Sequence, residues 1–252
     1  MSNACPITTP ALANEHLIKL SSPKIDAKSY QHALSALMYP MLGTCPDLTY
    51  SVAILGQHAA NPGPDHQHAL EHVFRYLQAT CHHQLIYQCG TDAGITLHGF
   101  TDADWGSDVN DRRSTSGYVF MLAGGAISWS SKKQSAITLS STEAEYIAGT
   151  HAAKEVIWLR QLLSNLKFLT SSATTLYIDN QSAIVITKNP EFHDCTKHIN
   201  IQYHYLRRKV EEEEIDPQYI SMEDQPANML TKGLACEKHD KFTQMMGVCH
   251  PN

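Results

Sequence analysis

The spacing of apolar residues changes near residue 90, and this change limits the folds that the chain can adopt. Before it, apolar residues recur every three or four positions, which is typical of helices that bury one face. The segments with this spacing are 30–42, 47–60 and 65–79. After the turn residues Gly90, Asp92 and Gly94, the apolar runs become short, as in β-strands. The chain is therefore predicted to contain a helical unit followed by a domain with a sheet.

The second part of the chain combines strands with helices. Strands are predicted at 95–102, 116–123, 126–131, 174–179 and 218–222. The second and third strands form a predicted hairpin around Gly124 and Gly125, because this dipeptide suits a tight turn. Helices are predicted at 140–166, 181–188, 199–213 and 227–234. This order predicts an α/β fold, in which a mixed five-stranded sheet is flanked by helices and preceded by a small all-helical unit.

These patterns divide the chain into four regions. Residues 1–28 mix proline with small polar residues and are predicted to be a loose leader. Residues 29–89 form the helical unit, 94–241 the sheet domain and 242–252 a tail.

Composition restricts the environment and the partners of the protein. The net charge is −6, so no global basic field would hold the chain on nucleic acid, and such a partner would need a local basic patch. The seven cysteines are odd in number and never spaced as C-x-x-C, which argues against a disulfide framework and a zinc ribbon. No apolar run approaches the ~20 residues of a membrane span, and no targeting signal is visible. We therefore expect an intracellular protein, in the cytoplasm or nucleus, that does not enter membranes.

Three acidic residues stand out from the pattern of predicted elements. Asp102 and Asp179 each end a predicted strand, and Glu145 lies on the stripe of the long helix that faces the sheet. Glu143 has a structural interpretation, because Ser140-x-x-Glu143 matches a capping box. If Asp102, Glu145 and Asp179 converge with no Lys or Arg nearby to balance them, a divalent cation with oxygen ligands is the usual remedy. Such a site suits hydrolysis of a phosphodiester.

Six ordered sequence blocks resemble the ribonuclease H region of copia-type retrotransposon polyproteins. They are TDADWG at 101–106, RSTSGY at 113–118, SWSSKKQ at 128–134, SSTEAEY at 140–146, DNQSA at 179–183 and KHI at 197–199. In the helical unit, SALMY at 35–39 and FRYL at 74–77 resemble the thumb or connection segment that follows the polymerase palm. The resemblance implies a ribonuclease H-like fold, two Mg²⁺ ions with Mn²⁺ as a substitute, and cleavage of RNA in RNA–DNA hybrids. It also implies the rest of the reverse transcriptase as a partner, and a virus-like particle as one cytoplasmic location.

The family's acids can be placed on this chain position by position. Asp102, Glu145 and Asp179 match the first three, which the pattern of elements had also selected. The fourth falls in ANMLTK at 227–232, where this chain has Asn228. An amide oxygen can still ligate Mg²⁺ or orient water, but it has no charge, so we expect weaker metal binding at the second position.

Several polar residues are predicted to contact the nucleic acid or assist the site. Basic side chains would meet phosphates, and hydroxyl or amide groups would read the 2′-OH of RNA. These candidates are Arg113, Ser114, Lys132, Lys133, Asn180 and Gln181. His198, in the last block, is predicted to act as an auxiliary residue near the site.

Two functions remain open at this point. The first is a Mg²⁺-dependent endoribonuclease with Asp102, Glu145, Asp179 and Asn228 as metal ligands. The second is a catalytically inactive hybrid-binding remnant of a decayed element, which Asn228 favours. Reverse transcription is excluded because the chain has no Tyr-x-Asp-Asp motif.

Overall fold

Three α-helices and one 3₁₀ helix form the first part of the structure. The structure is a computed structural model that describes residues 7–13, 16–88, 96–168, 172–188 and 200–250, with only the backbone for 200–203. Helix α1 covers Ala27–Gly43, a 3₁₀ helix covers Pro46–Leu48, α2 covers Thr49–Gly56 and α3 covers Pro64–Ala79. Asp26 caps α1, because its carboxylate accepts the N–H groups of Lys28 and Ser29. The leader is not detached, since Ile7, Leu17 and Ile25 pack against the helical core.

A five-stranded mixed sheet forms the centre of the second part. After the short strand β1 (Gln84–Leu85), the chain forms β2 (His98–Asp104), β3 (Thr115–Leu122), β4 (Gly125–Lys133), β5 (Thr174–Ile178) and β6 (Ile215–Tyr219). The sheet order is β4-β3-β2-β5-β6. Strands β2, β3 and β4 pair antiparallel, whereas β5 and β6 run parallel to β2. This topology confirms the predicted α/β fold with a mixed five-stranded sheet.

Helices cover the sheet and create its core. Helix α4 (Ser141–Asn165) is followed by α5 (Gln181–Lys188), α6 (Asn200–Glu211) and α7 (Cys236–Met245). The stripe of α4 that includes Val156, Leu159 and Leu163 packs with Leu176 and Ile178 of β5. The amphipathic spacing read from the sequence therefore buries the predicted face of α4.

Three local predictions were wrong. The hairpin turn is Ala123–Gly124, one residue earlier than predicted, and both residues have positive φ angles of 51° and 79°. Strand β6 begins at Ile215 instead of residue 218, because an edge strand tolerates Pro217. The helix predicted at 227–234 is a 3₁₀ helix at Pro226–Leu230.

The C-terminal region packs into the fold, which corrects the prediction of a tail from residue 242. Phe242 and Met246 have no exposed surface, and β7 (Val248–Cys249) pairs antiparallel with β1. The division into domains at residues 28, 89 and 241 otherwise stays a prediction. Within the described ranges, no helix combines the length and apolar character needed to cross a membrane.

Candidate active site

Three carboxylates meet at one edge of the five-stranded sheet. Asp102 lies in β2, Asp179 directly follows β5, and Glu145 lies in the second turn of α4. One oxygen atom from each lies within 4.8 Å of the other two. Because β2 and β5 are parallel neighbours, their carboxyl ends bring Asp102 and Asp179 together. The structure thus assembles the three acids that the sequence singled out, whereas their catalytic roles stay a prediction.

The start of α4 explains why Glu143 and Glu145, only two residues apart, have different hydrogen-bond partners. The hydroxyl of Ser140 accepts the N–H of Glu143 at 3.2 Å, and the Glu143 carboxylate accepts the N–H of Leu139 at 2.7 Å. Glu143 therefore has the capping role that the sequence predicts, although it reaches one residue beyond the cap. Glu145 points instead to the sheet, where its Oε1 accepts the N–H of Ala103 at 3.2 Å.

Burial and mutual repulsion make the carboxylate cluster unfavourable when it is fully ionised. Asp102 and Glu145 are only 2% and 5% exposed. Burial, followed by the charges of Asp102 and Asp179, raises the pKa of Glu145 well above its usual value. Burial and the charge of Asp102 raise the pKa of Asp179 to about 6. Oε2 of Glu145 has no hydrogen-bond partner among the described residues, so this set of hard oxygen donors fits a divalent cation.

The segment after β6 forms one wall of the site. Gly117 pairs with Asp102 across the strands, and a Cβ atom at Gly117 would lie 2.8 Å from Cβ of Leu230. This close approach places the Thr231 hydroxyl in a hydrogen bond to Oδ2 of Asp102. Nζ of Lys232 lies 3.8 Å from the same oxygen. One basic side chain therefore does lie near the acids.

Two buried amides complete this wall. Asn228 has no exposed surface; its Nδ2 donates to the carbonyl of Met222 at 3.1 Å, and its Oδ1 has no partner among the residues described. Nε2 of Gln225 donates to the carbonyl of Thr101 at 2.9 Å and also lies 3.4 Å from that of Tyr177. Gln225 therefore links the ends of the two strands that carry Asp102 and Asp179.

Sequence reasoning missed Gln225, Thr231 and Lys232. The last two lie in the block ANMLTK, which had been selected only for Asn228. Gln225 gave no signal, because its partner Thr101 is 124 residues away along the chain.

Two of the predicted substrate contacts serve local structure in this protein. Ser114 has no exposed surface, and its hydroxyl accepts the N–H of Gly106 at 3.1 Å and lies 3.0 Å from Oγ1 of Thr138. Asn180 accepts the N–H of Ala183 at 3.0 Å at the start of α5. Both side chains therefore hold the backbone next to the site.

The other predicted contact residues differ in whether their side chains already form ion pairs within the protein. Arg113 lies 3.8 Å from the carboxylate of Asp111, and Lys133 forms ion pairs with Asp111 and Asp108. Lys132 and Gln181 are exposed. His198 lies outside the described residues. The predictions of nucleic-acid contact therefore depend most on Lys132 and Gln181.

Comparison with known proteins gives strong sequence relatives. No family model matches the chain. It is 39% identical to the retrovirus-related Pol polyprotein from transposon TNT 1-94 of Nicotiana tabacum, over 100% of the chain and 19% of that protein. It is 37% identical to the corresponding polyprotein from transposon RE2 of Arabidopsis thaliana, over 98% of the chain and 17% of that protein. It is also 50% identical to secreted RxLR effector protein 161 of Plasmopara viticola, over 52% of the chain and 90% of that protein.

Ribonucleases H are among the solved structures with some likeness to the chain. The LC11-RNase H1 structure has a TM-score of 0.43 and 16% identity, covering 59% of this chain and 98% of that chain. The N-terminal RNase H domain of rv2228c from Mycobacterium tuberculosis has a TM-score of 0.42 and 11% identity, covering 60% and 98%.

The similarity to the Pol polyproteins extends over the whole chain but over a small part of each relative. The chain spans 19% and 17% of the two polyproteins named above. Pol polyproteins from plant copia-type transposons are therefore homologues of this chain, which matches a segment of each of them.

Proposed function

We propose that this chain hydrolyses the RNA strand of RNA–DNA hybrids with the help of Mg²⁺. The observation that carries the proposal is the convergence of Asp102, Glu145 and Asp179, with oxygen atoms within 4.8 Å of one another. A nucleic-acid substrate is supported by the similarity of the whole chain to transposon Pol polyproteins. Mn²⁺ is the expected substitute, because it shares the preference of Mg²⁺ for oxygen ligands.

The side chains of the site would hold the ion and fix its ligands. Asp102, Glu145 and Asp179 would bind through carboxylate oxygens, and Oε2 of Glu145 is available because it has no other partner among the described residues. The hydrogen bonds from Ala103 to Glu145 and from Thr231 to Asp102 would keep both carboxylates oriented. A divalent cation bound there would polarise an attacking water and stabilise negative charge on the phosphate.

The substrate would approach the open edge of the sheet that carries the acids. Lys132 would bind a phosphate, and Gln181 would contact the ribose next to Asp179. The polymerase part of a longer polyprotein is the proposed protein partner, within a virus-like particle, the cytoplasm or the nucleus.

A cleavage assay tests the proposal. The purified chain and an Asp102→Asn variant would be incubated with a labelled RNA–DNA hybrid in Mg²⁺ and in Mn²⁺. We expect the parent to cut the RNA strand and the variant to lose about 100-fold or more of the rate, because a charged ligand is removed. A parent that leaves the hybrid intact in both ions would contradict the proposal.

Asn228 favours a second candidate function, a hybrid-binding module without activity. The side chain is fully buried beside Thr231 and brings no charge to the site. In that case the parent would bind hybrids without cutting them, and Asn228→Asp would restore cleavage. Cleavage by the parent at a rate similar to that of Asn228→Asp would exclude this candidate.

A further inference from the structure

Lys232 brings a positive charge to the carboxylate cluster. Its Nζ lies 3.8 Å from Oδ2 of Asp102, and its side chain is 31% exposed. The backbone N–H of Lys232 donates to the carbonyl of Asn228 at 3.2 Å, which fixes where the side chain leaves the main chain. Lys232 is therefore placed by the same wall that orients Asp102.

The charge of Lys232 acts on the whole cluster. Asp102 is one of three carboxylates whose oxygen atoms lie within 4.8 Å of one another, so the ammonium 3.8 Å from Asp102 is close to all of them. The half-buried Asp104 lies two residues after Asp102 on the same strand. One flexible cation thus compensates acids from β2, α4 and the end of β5.

Charge balance indicates how many ions this cluster can accept. Three carboxylates and one ammonium give a formal charge of −3 + 1 = −2, which one divalent cation neutralises. Asp104, the next acid on β2, is outside the group of ligand atoms that lie close together, and Asn228 offers a second divalent cation only a neutral amide oxygen. The wall that contains Asn228 therefore supplies a cation in place of an acid.

We propose that one divalent cation and the ammonium of Lys232 together bind the scissile phosphate, with Lys232 in the role of a second ion. This inference rests on the proposed function and replaces the predicted pair of ions with one. Hydrolysis joins the oxygen of water to phosphorus and breaks the bond from phosphorus to the departing ribose oxygen. The water releases a proton to solvent and the ribose oxygen takes one up from solvent, so the role of Lys232 is to stabilise negative charge.

Mn²⁺ binding without nucleic acid gives the first measurement. In isothermal titration calorimetry, the parent should bind one Mn²⁺ per chain. Lys232→Met should bind Mn²⁺ about tenfold more tightly, because the cluster becomes more negative. The same variant should cleave the hybrid about tenfold or more slowly at saturating Mn²⁺, because the phosphate loses a positive contact. Tighter metal binding with slower cleavage cannot arise from a misfolded variant, which would lose both.

Lys188→Met is the matched control. Lys188 is 48% exposed and forms an ion pair at 3.2 Å with Asp216, which is outside the carboxylate cluster. It should change neither measurement by more than about twofold. The role of Lys232 would be overturned, and the proposed function left standing, by either of two results. One is that the parent binds two Mn²⁺ ions, and the other is that Lys232→Met cleaves at the parent's rate at saturating Mn²⁺. A parent that never cleaves would overturn the proposed function and this inference together.

Discussion

Glu143 and Glu145 show at the residue scale how two buried carboxylates on one helix differ in their effect on stability. They are 7% and 5% exposed. Glu143 is stabilised by the N–H of Leu139, whereas Glu145 lies against two other acids and has a raised pKa, chiefly because it is buried. Glu145 should therefore destabilise the protein when no cation is bound, whereas Glu143 should stabilise it through its hydrogen bond to Leu139.

We predict opposite effects of Glu145→Gln and Glu143→Gln in thermal melts at pH 7 with a chelator. Glu145→Gln should raise the melting temperature by about 2–4 °C, the shift for ~1 kcal/mol in a chain of this size. Glu143→Gln should lower it, because the helix cap weakens. Added Mg²⁺ should stabilise the parent by about 2.7 kcal/mol at 100 times its Kd, and should not stabilise Glu145→Gln to that extent. A lower melting temperature for Glu145→Gln in chelator would contradict this account of the cluster.

His58, in the helical unit, makes the free energy of unfolding depend on pH. It is 5% exposed and stacks on His66, with ring centroids 4.1 Å apart. Nδ1 of His66 accepts the N–H of Gly63, so its Nε2 carries the proton and donates to the carbonyl of Ile18. Burial, followed by the effect of His66, lowers the pKa of His58 from 6.5 to about 4. Folding therefore favours neutral His58.

The sign of the resulting pH dependence follows from proton counting. Between pH 6.5 and about 4, the unfolded chain binds a proton at His58 that the folded chain does not, so the free energy of unfolding falls as the pH falls. We expect His58→Gln to remove about 1–3 kcal/mol of this dependence. Urea unfolding at pH 7 and pH 4.5 gives the change in the free energy of unfolding with pH for the parent and for the variant. Glu145 and Asp179 contribute to this change with the opposite sign, and their contribution cancels when the two proteins are compared. Parallel pH profiles for the two proteins would contradict the prediction.

At the scale of elements, the turn of the β3–β4 hairpin places Ala123 in a backbone conformation that alanine rarely adopts. Ala123 has φ 51°, in the left-handed region that favours glycine. Ala123→Gly should raise the free energy of unfolding by about 1 kcal/mol, because the Cβ strain is removed. Ala126→Gly, in β4 and without exposed surface, should lower it. Chemical denaturation tests both, and a destabilised Ala123→Gly would show that the turn is not strained.

The elements differ in how well the sequence predicts them. Helix α5 was predicted with the observed bounds, because its apolar residues mark one face. Strand β6 was displaced because Pro217 follows an acidic run, and only pairing with β5 makes it a strand. Helix α7 was missed because most of its residues are polar, and its burial of Phe242 depends on tertiary contacts.

The same physical limit applies to the site. Asp102, Glu145 and Asp179 could be predicted because strand ends and a helix stripe are local patterns. The contact of Thr231 with Asp102 joins residues 129 positions apart, so no local pattern reports it. The nearby ammonium of Lys232, and with it the charge balance of the cluster, became visible only in the folded protein.

At the scale of the whole molecule, the helical unit and the sheet share contacts that couple their stability. Nε1 of Trp129 in β4 donates to the carbonyl of Met41 in α1 at 2.9 Å. The ring of Tyr76 in α3 meets that of His239 in α7 edge-on, with centroids 5.5 Å apart. Strand β1, which follows α3, pairs with β7 at the end of the described chain. These contacts would be lost if either part unfolded alone.

We therefore predict that the two parts unfold in one transition. Far-UV circular dichroism and tryptophan fluorescence should give the same urea midpoint, because neither part is independent. Trp129→Phe keeps an aromatic side chain but removes the N–H that donates to the carbonyl of Met41. It should lower the free energy of unfolding by about 1–2 kcal/mol and preserve the single transition. Trp158→Phe is the control, since Trp158 is 56% exposed on α4 and should have little effect. An early transition of the helical unit, seen by circular dichroism before the fluorescence changes, would mean that these contacts do not couple the two parts.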